Sequence, residues 1–237
     1  MTTYLLVGGP GIGKSELCLT VANDFNTTLK IIDISSAQTG AYLTGSEEYW
    51  GNSQPGMLFN ELVLGSVANP IIMLDELDKA KGSTGYDPLC ALHALLEPRQ
   101  AQSFHDLSFP NIIVDASHVI WIASANSIDS IDAPILDRFT VFNIADPDAA
   151  QMITIVHSQY QRFINKHPSG GVFEKTIRDD VLEELCTHHP RKVRKLLEQA
   201  FGLAAFDKRN YLKGQDIIDS DVSKKRKKRG IGFVIPA

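Results

Sequence analysis

Gly8-Gly9-Pro10-Gly11-Ile12-Gly13-Lys14-Ser15 decides the reading of this chain. A turn of the form G-x-x-x-x-G-K-[ST] aims consecutive backbone N–H groups at a polyphosphate. Its Lys reaches the β- and γ-phosphates, and its hydroxyl takes a place on Mg²⁺. The flanks suit that role. Tyr4-Leu5-Leu6-Val7 is a short apolar run of buried-strand type. Residues 14–24 read as a helix, with Leu17, Val21 and Phe25 at helical spacing. The loop therefore joins a strand to a helix N-terminus, where the backbone dipole favours anions.

Further strands are expected at residues 30–34, 71–74, 119–123 and 141–144, with helical patterns between them. Alternation of this kind predicts an α/β domain whose mainly parallel sheet is flanked by helices on both faces. Such sheets bind ligands at the carboxyl ends of their strands. Three expected strands end in polar residues: the phosphate loop after the first, Asp75-Glu76 after Ile71-Ile72-Met73-Leu74, and Asn126 after Val119-Ile120-Trp121-Ile122-Ala123-Ser124-Ala125. Two adjacent carboxylates at the end of an apolar strand are costly without a cation to serve. Asp75 is positioned to support Mg²⁺, directly or through its water, and Glu76 to polarise an attacking water. Asn126 offers a neutral amide to a γ-phosphate or to that water, or else simply starts a turn.

Asp146-Pro147-Asp148 marks a boundary, since Pro147 disfavours helix before it and Asp148 can cap the next one. Residues 1–146 are read as the nucleotide-binding α/β domain, 147–222 as a small all-helical domain and 223–237 as a flexible basic tail. Helical stripes run through Met152, Val156, Tyr160 and Phe163, and through Val193, Leu196, Leu197, Ala200 and Phe201, with Pro190 in the first turn of the latter. Arg138 and Arg191 carry guanidinium groups suited to stabilising a transferring phosphoryl group, or to surface ion pairs.

These features together resemble the AAA+ ATPases, and more closely the ATPase module of Lon proteases. The strongest match is Leu74-Asp75-Glu76-Leu77-Asp78-Lys79. It is supported by Asp87-Pro88, by Ala94-Leu95-Leu96-Glu97-Pro98 and by Ala133-Pro134-Ile135-Leu136-Asp137-Arg138. The resemblance covers the chain from about Tyr4 to Ala205. It implies a P-loop AAA+ core with a helical lid that binds ATP with Mg²⁺ and hydrolyses it. Asn126 then matches the sensor-1 position. Arg138 matches the arginine finger that reaches the neighbouring subunit's ATP. Arg191 matches sensor 2 on the lid, with Arg194 as the competing candidate. A finger acting in trans implies a ring homo-oligomer, most often a hexamer in this family. Tyr49-Trp50-Gly51 matches the pore loop that grips a protein client, or packs on the core, and residues 81–86 are similar to a second pore loop. Nothing in the 237 residues resembles the Ser-Lys protease domain, so no proteolysis is expected. The phosphate loop starts too near Met1 for the upstream segment that usually contacts adenine.

Composition bounds the alternatives. Hydrophobic content of 43% and charged content of 22% suit a soluble globular chain, and no apolar run is long enough to span a membrane. Three scattered cysteines, Cys18, Cys90 and Cys186, read as free buried thiols and, with no signal-peptide pattern, point to a reducing, cytoplasmic setting. The seven histidines show no metal-ligand spacing. The formal charge is −5 although Lys224-Lys225-Arg226-Lys227-Lys228-Arg229 is wholly cationic, so the folded part is acidic. An acidic body disfavours a general nucleic-acid binder. The basic run is a solvated stretch or a salt-dependent contact with an acidic partner or nucleic acid. The rival readings are a clamp-loader-like or DNA-remodelling ATPase acting through that run, and a nucleotide-gated binding module with little turnover.

Overall fold

A computed structural model describes residues 2–34, 40–47, 51, 53–80, 88–166 and 170–221. The chain divides into two compact units, Met1–Ala145 and Asp146–Ala237.

The first unit is built on β1 (Thr2–Val7), α1 (Lys14–Asp24), β2 (Leu29–Asp33), α2 (Ala41–Thr44), α3 (Met57–Phe59) and β3 (Ile71–Asp75). It continues through α4 (Pro88–Leu95), α5 (Pro98–Ala101), β4 (Phe104–Asp106), β5 (Phe109–Val114), β6 (Ile120–Ala125), α6 (Ala133–Leu136) and β7 (Thr140–Asn143). Five strands form one parallel sheet in the order β2-β3-β6-β1-β7. All five expected strands are present, within two residues of their expected ends. Inner parallel strands bury both faces, so they read as continuous apolar runs. In β3, Ile72 and Leu74 enter one cluster with Leu92, Leu95 and Trp121. Ile71 and Met73 enter another, on the side of α1. The register pairs Val7 with Ala125 and Leu74 with Ala123, which aligns the carboxyl ends of β1, β3 and β6.

Three expectations need correction. The helix after the phosphate loop forms, but its buried face is Cys18 and Ala22; Leu17 and Phe25 are exposed, Phe25 by 71%. Two small side chains let α1 lie close to the sheet. Leu17, Val21 and Phe25 instead line an open apolar concavity of about 500 Å³ with Tyr4, Phe142 and Ile144. The sheet is therefore not fully covered on that face by the described residues. The thiols also differ from expectation: Cys18 is buried and pushed up to about 11 by burial, whereas Cys90 is exposed. Last, β4 and β5 form an antiparallel hairpin that was not expected. Pro110 inside β5 breaks the usual strand signal, and this strand tolerates it because it lies at an edge with most of its side chains exposed.

The second unit contains α7 (Ala149–Lys166), α8 (Asp179–Cys186), α9 (Pro190–Phe206) and α10 (Gly214–Ser220), and no strand among its described residues. Its core gathers Met152, Val156 and Tyr160 from α7, Val181 and Leu185 from α8, and the expected stripe of α9. Phe201 sits at the centre, with ring centroids 4.0 Å from Phe163, 4.7 Å from Phe173 and 5.5 Å from Tyr160. Arg209 grips Asp216 through two hydrogen bonds of 2.9 and 2.8 Å, and Asp216 also accepts the Lys213 N–H that opens α10.

Candidate active site

The loop from Gly8 to Gly13 leaves β1 and enters α1. Gly11 and Gly13 take φ values of +81° and +106°, a region that side chains disfavour. Gly8 is needed for a different reason. A Cβ there would lie 2.5 Å from both Ile144 O and Ile12 Cδ1. No side chain caps α1, so its first N–H groups face outward with Ser15, which is exposed. Pro10 is exposed at the loop's crest, beside Gly9 and Ile12.

Lys14 is where the three strand ends meet. Its ammonium donates to Gly8 O at 2.5 Å, to Gly9 O at 3.0 Å and to Asn126 Oδ1 at 3.4 Å. Burial lowers its pKa, against the opposing pull of Asp75, Asp78 and Glu76. Ser124, near the end of β6, donates its hydroxyl to Asp75 Oδ1 and accepts the Glu76 N–H at 3.2 Å. Glu76 holds a left-handed backbone, φ 58° and ψ 43°, between β3 and a 3-10 turn at Leu77–Lys79. A non-glycine residue there stores about 1–3 kcal/mol, which persists where the surroundings over-determine it. Its carboxylate accepts from Lys79 Nζ at 2.6 Å, and that bond raises the Lys79 pKa. Asp78 accepts the Asn126 N–H at 3.0 Å, and its carbonyl accepts the Ser130 hydroxyl at 2.7 Å.

The structure thus brings together Lys14, Asp75, Glu76 and Asn126. Sequence reasoning gave no role to Ser124, Asp78 or Lys79. Asp78 and Lys79 were quoted within the motif, and only the β3–β6 register shows what Ser124 and Asp78 hold. Arg138 stands apart. Its Nη1 donates to Pro134 O, its carbonyl accepts the Thr3 hydroxyl at 2.5 Å, and its buried Nε has no hydrogen-bond partner. Arg191 is exposed in the first turn of α9, in the second unit, and Arg194 pairs with Glu198 at 3.2 Å. Tyr49, Trp50, residues 81–86 and the basic run 224–229 lie outside the described residues.

The model for the ATPase family associated with various cellular activities (AAA) matches residues 4–146. The chain belongs to this AAA family. Among curated relatives, this AAA protein is 30% identical over 204 residues to a mitochondrial Lon protease homolog of Caenorhabditis briggsae. It is 34% identical over 190 residues to Lon protease 1 of Syntrophotalea carbinolica. The alignments take in 84% and 79% of the chain, but only 21% and 23% of the relatives' lengths. Among solved structures, the Thermotoga maritima RuvB Holliday junction branch migration motor superposes with a TM-score of 0.62 at 13% identity. That match covers 94% of the chain and 62% of RuvB and supports the P-loop fold. AAA membership implies a nucleotide-binding site. The Gly8–Ser15 loop, with Lys14 held beside Asn126 and the Asp75–Glu76 pair, has the donors such a ligand requires. Among the described residues, no helix is long and apolar enough to cross a membrane.

Proposed function

We propose that this chain is the Mg²⁺-dependent ATP-hydrolysing module of a Lon-like ring motor that remodels or threads protein. The observation that carries this reading is the junction at the ends of β1, β3 and β6. Lys14 reaches Asn126 there, and Ser124 holds Asp75 and Glu76 side by side. The residues suit the ion. Ser15 and Asp75 supply hard oxygen donors, and no three-ligand cluster of His, Cys, Asp and Glu is found among the described residues. That matches a cation held by one or two protein oxygens plus substrate phosphates. Held by Ser15 and Asp75, Mg²⁺ would supply neutralisation of phosphate charge.

The chain's own groups do the rest. Backbone N–H groups of Gly9 and of Gly11–Ser15 cradle the phosphates, and Lys14 exchanges its carbonyl contacts for phosphate oxygens. Glu76 Oε accepts the proton of the attacking water, with Lys79 holding the carboxylate in place. Asn126 orients that water or the γ-phosphate, and Asp78 fixes its backbone. Arg138 serves the neighbouring subunit's nucleotide, which accords with its lack of a bond to this chain's phosphate loop. Arg191 couples nucleotide state to the helical unit as lid. The expected assembly is a homo-oligomeric ring, and Tyr49 and Trp50 would grip the client by contact area.

Glu76→Gln tests the reading. It should retain ATP and lock the assembly, with hydrolysis down by about 10²–10⁴-fold. Sizing and turnover measured on the same samples check this, and normal turnover in the variant overturns it. Stimulation by an unfolded protein, lost in Trp50→Ala, supports a protein client. The six-cation run at 224–229 favours the second reading, a DNA-stimulated ATPase. Stimulation by DNA that vanishes without the residues after Ser223 would establish that one instead.

A further inference from the structure

Thr3 carries a hydroxyl on a strand face that is otherwise apolar. Side chains alternate along β1, so Thr3 shares its face with Leu5 and Val7. Those two pack in the cluster that holds Ile135, Leu136 and Phe139, from α6 and the turn after it. A valine would suit such a face as well. The hydroxyl serves something else: it donates to Arg138 O at 2.5 Å.

That carbonyl stands just past α6, where carbonyls lack partners within the helix. Arg138 N–H donates to Ile135 O at 3.1 Å, so both backbone groups of Arg138 are fixed, one by its own turn and one by β1. The Thr3 bond lies just before the β1–β7 ladder, which opens with Tyr4 and Thr140. The guanidinium has fewer restraints. Its Nη1 donates to Pro134 O, its buried Nε has no partner, and among the described residues no carboxylate pairs with it. Its aim therefore depends on the backbone that carries it. Without the Thr3 hydroxyl, the Arg138 carbonyl would be left against an apolar face. It would turn towards water and swing the side chain with it.

We infer that Thr3 is a positioning residue for Arg138: its hydroxyl fixes the peptide that aims the guanidinium at the neighbouring subunit's nucleotide. This rests on the proposed reading of Arg138. Thr3→Val removes the hydroxyl and keeps the shape. Thr3→Ser keeps the hydroxyl and removes a methyl group. Thr3→Ala also removes the hydroxyl, and it keeps the test available if valine disturbs the packing.

ATP turnover and KM for ATP are measured on the intact protein. Thr3→Val and Thr3→Ala should lower kcat by about tenfold, the rate equivalent of one hydrogen bond, with KM within about twofold of wild type. Thr3→Ser should stay within about twofold of wild type in both. Mixing subunits then separates aim from a local fault. With Glu76→Gln, the Thr3→Val subunit supplies an intact base and the Glu76→Gln subunit an intact Arg138. Activity should rise above that of the two variants measured separately. With Arg138→Ala no such gain should appear. The reverse pattern, a gain with Arg138→Ala and none with Glu76→Gln, places the fault in the subunit's own site and overturns the inference. Wild-type kcat in Thr3→Val overturns it too, as does an equal loss in Thr3→Ser. Wild-type turnover in Arg138→Ala overturns the reading of Arg138 itself, and this inference with it.

Discussion

Glu76 carries the largest conformational demand at the candidate site, since its φ of 58° is one that side chains seldom adopt. The local chain does not relieve that demand; Ser124 does, by accepting the Glu76 N–H and donating to Asp75. Ser124→Ala should therefore leave two polar groups of the site short of partners. We expect a loss of about 1–3 kcal/mol in chemical denaturation, with a fall in ATP turnover larger than any change in KM for ATP. Gly8→Ala should clash with Ile144 O and Ile12, cost about 1–3 kcal/mol and lower the melting temperature. Lys14, Asp75, Glu76 and Asn126 were legible because each stands in a contiguous motif at an apolar strand's end. Ser124 was not, because a serine inside a strand reads as filler until β6 is placed beside β3.

Among the elements, periodicity identified the parallel strands, α7 and α9, where packing repeats along the chain. It missed the β4–β5 hairpin and α10, which are held by particular polar contacts. In α10 the starting residue is Lys213, which lacks the hydroxyl or carboxylate that usually signals a helix start; Asp216 and Arg209 supply the order. Burial raises the Asp216 pKa, but Arg209 and the Lys213 N–H outweigh it and leave the carboxyl below its ordinary value. A carboxylate depressed in the folded state contributes stability that is present above its unfolded value, near 3.9, and lost as pH falls through the folded one. The α10 region should therefore loosen in acid below about pH 3.9. Asp216→Asn should remove that step and cost about 3 kcal/mol at neutral pH, read by circular dichroism and denaturant titration. The stripe expected on α1 failed for a packing reason. Close approach to the sheet requires Cys18 and Ala22, which displaces the larger side chains to the rim.

For the whole molecule, the test is whether the site is completed by a second subunit. Arg138→Ala should leave ATP affinity nearly unchanged and reduce turnover on the order of 10³-fold. Mixing it with Glu76→Gln should restore partial activity, because an intact base in one subunit then meets an intact Arg138 from the other. A mixture no more active than the two variants measured separately would count against action in trans. Arg191→Ala and Arg194→Ala compared for KM(ATP) decide which guanidinium serves the lid. The phosphate loop, the acidic strand end, the amide and the alternating α/β order are written locally in the chain. Each of these is encoded by neighbours within a few residues, through backbone geometry and hydrophobic period. Strand register and packing are what set Ser124 and Asp78 against the site, bring Asp106 to the Gly56 and Ser108 N–H groups, and turn the small face of α1 inward. Those relations depend on strand register and close packing between segments far apart in the chain, which no local pattern records.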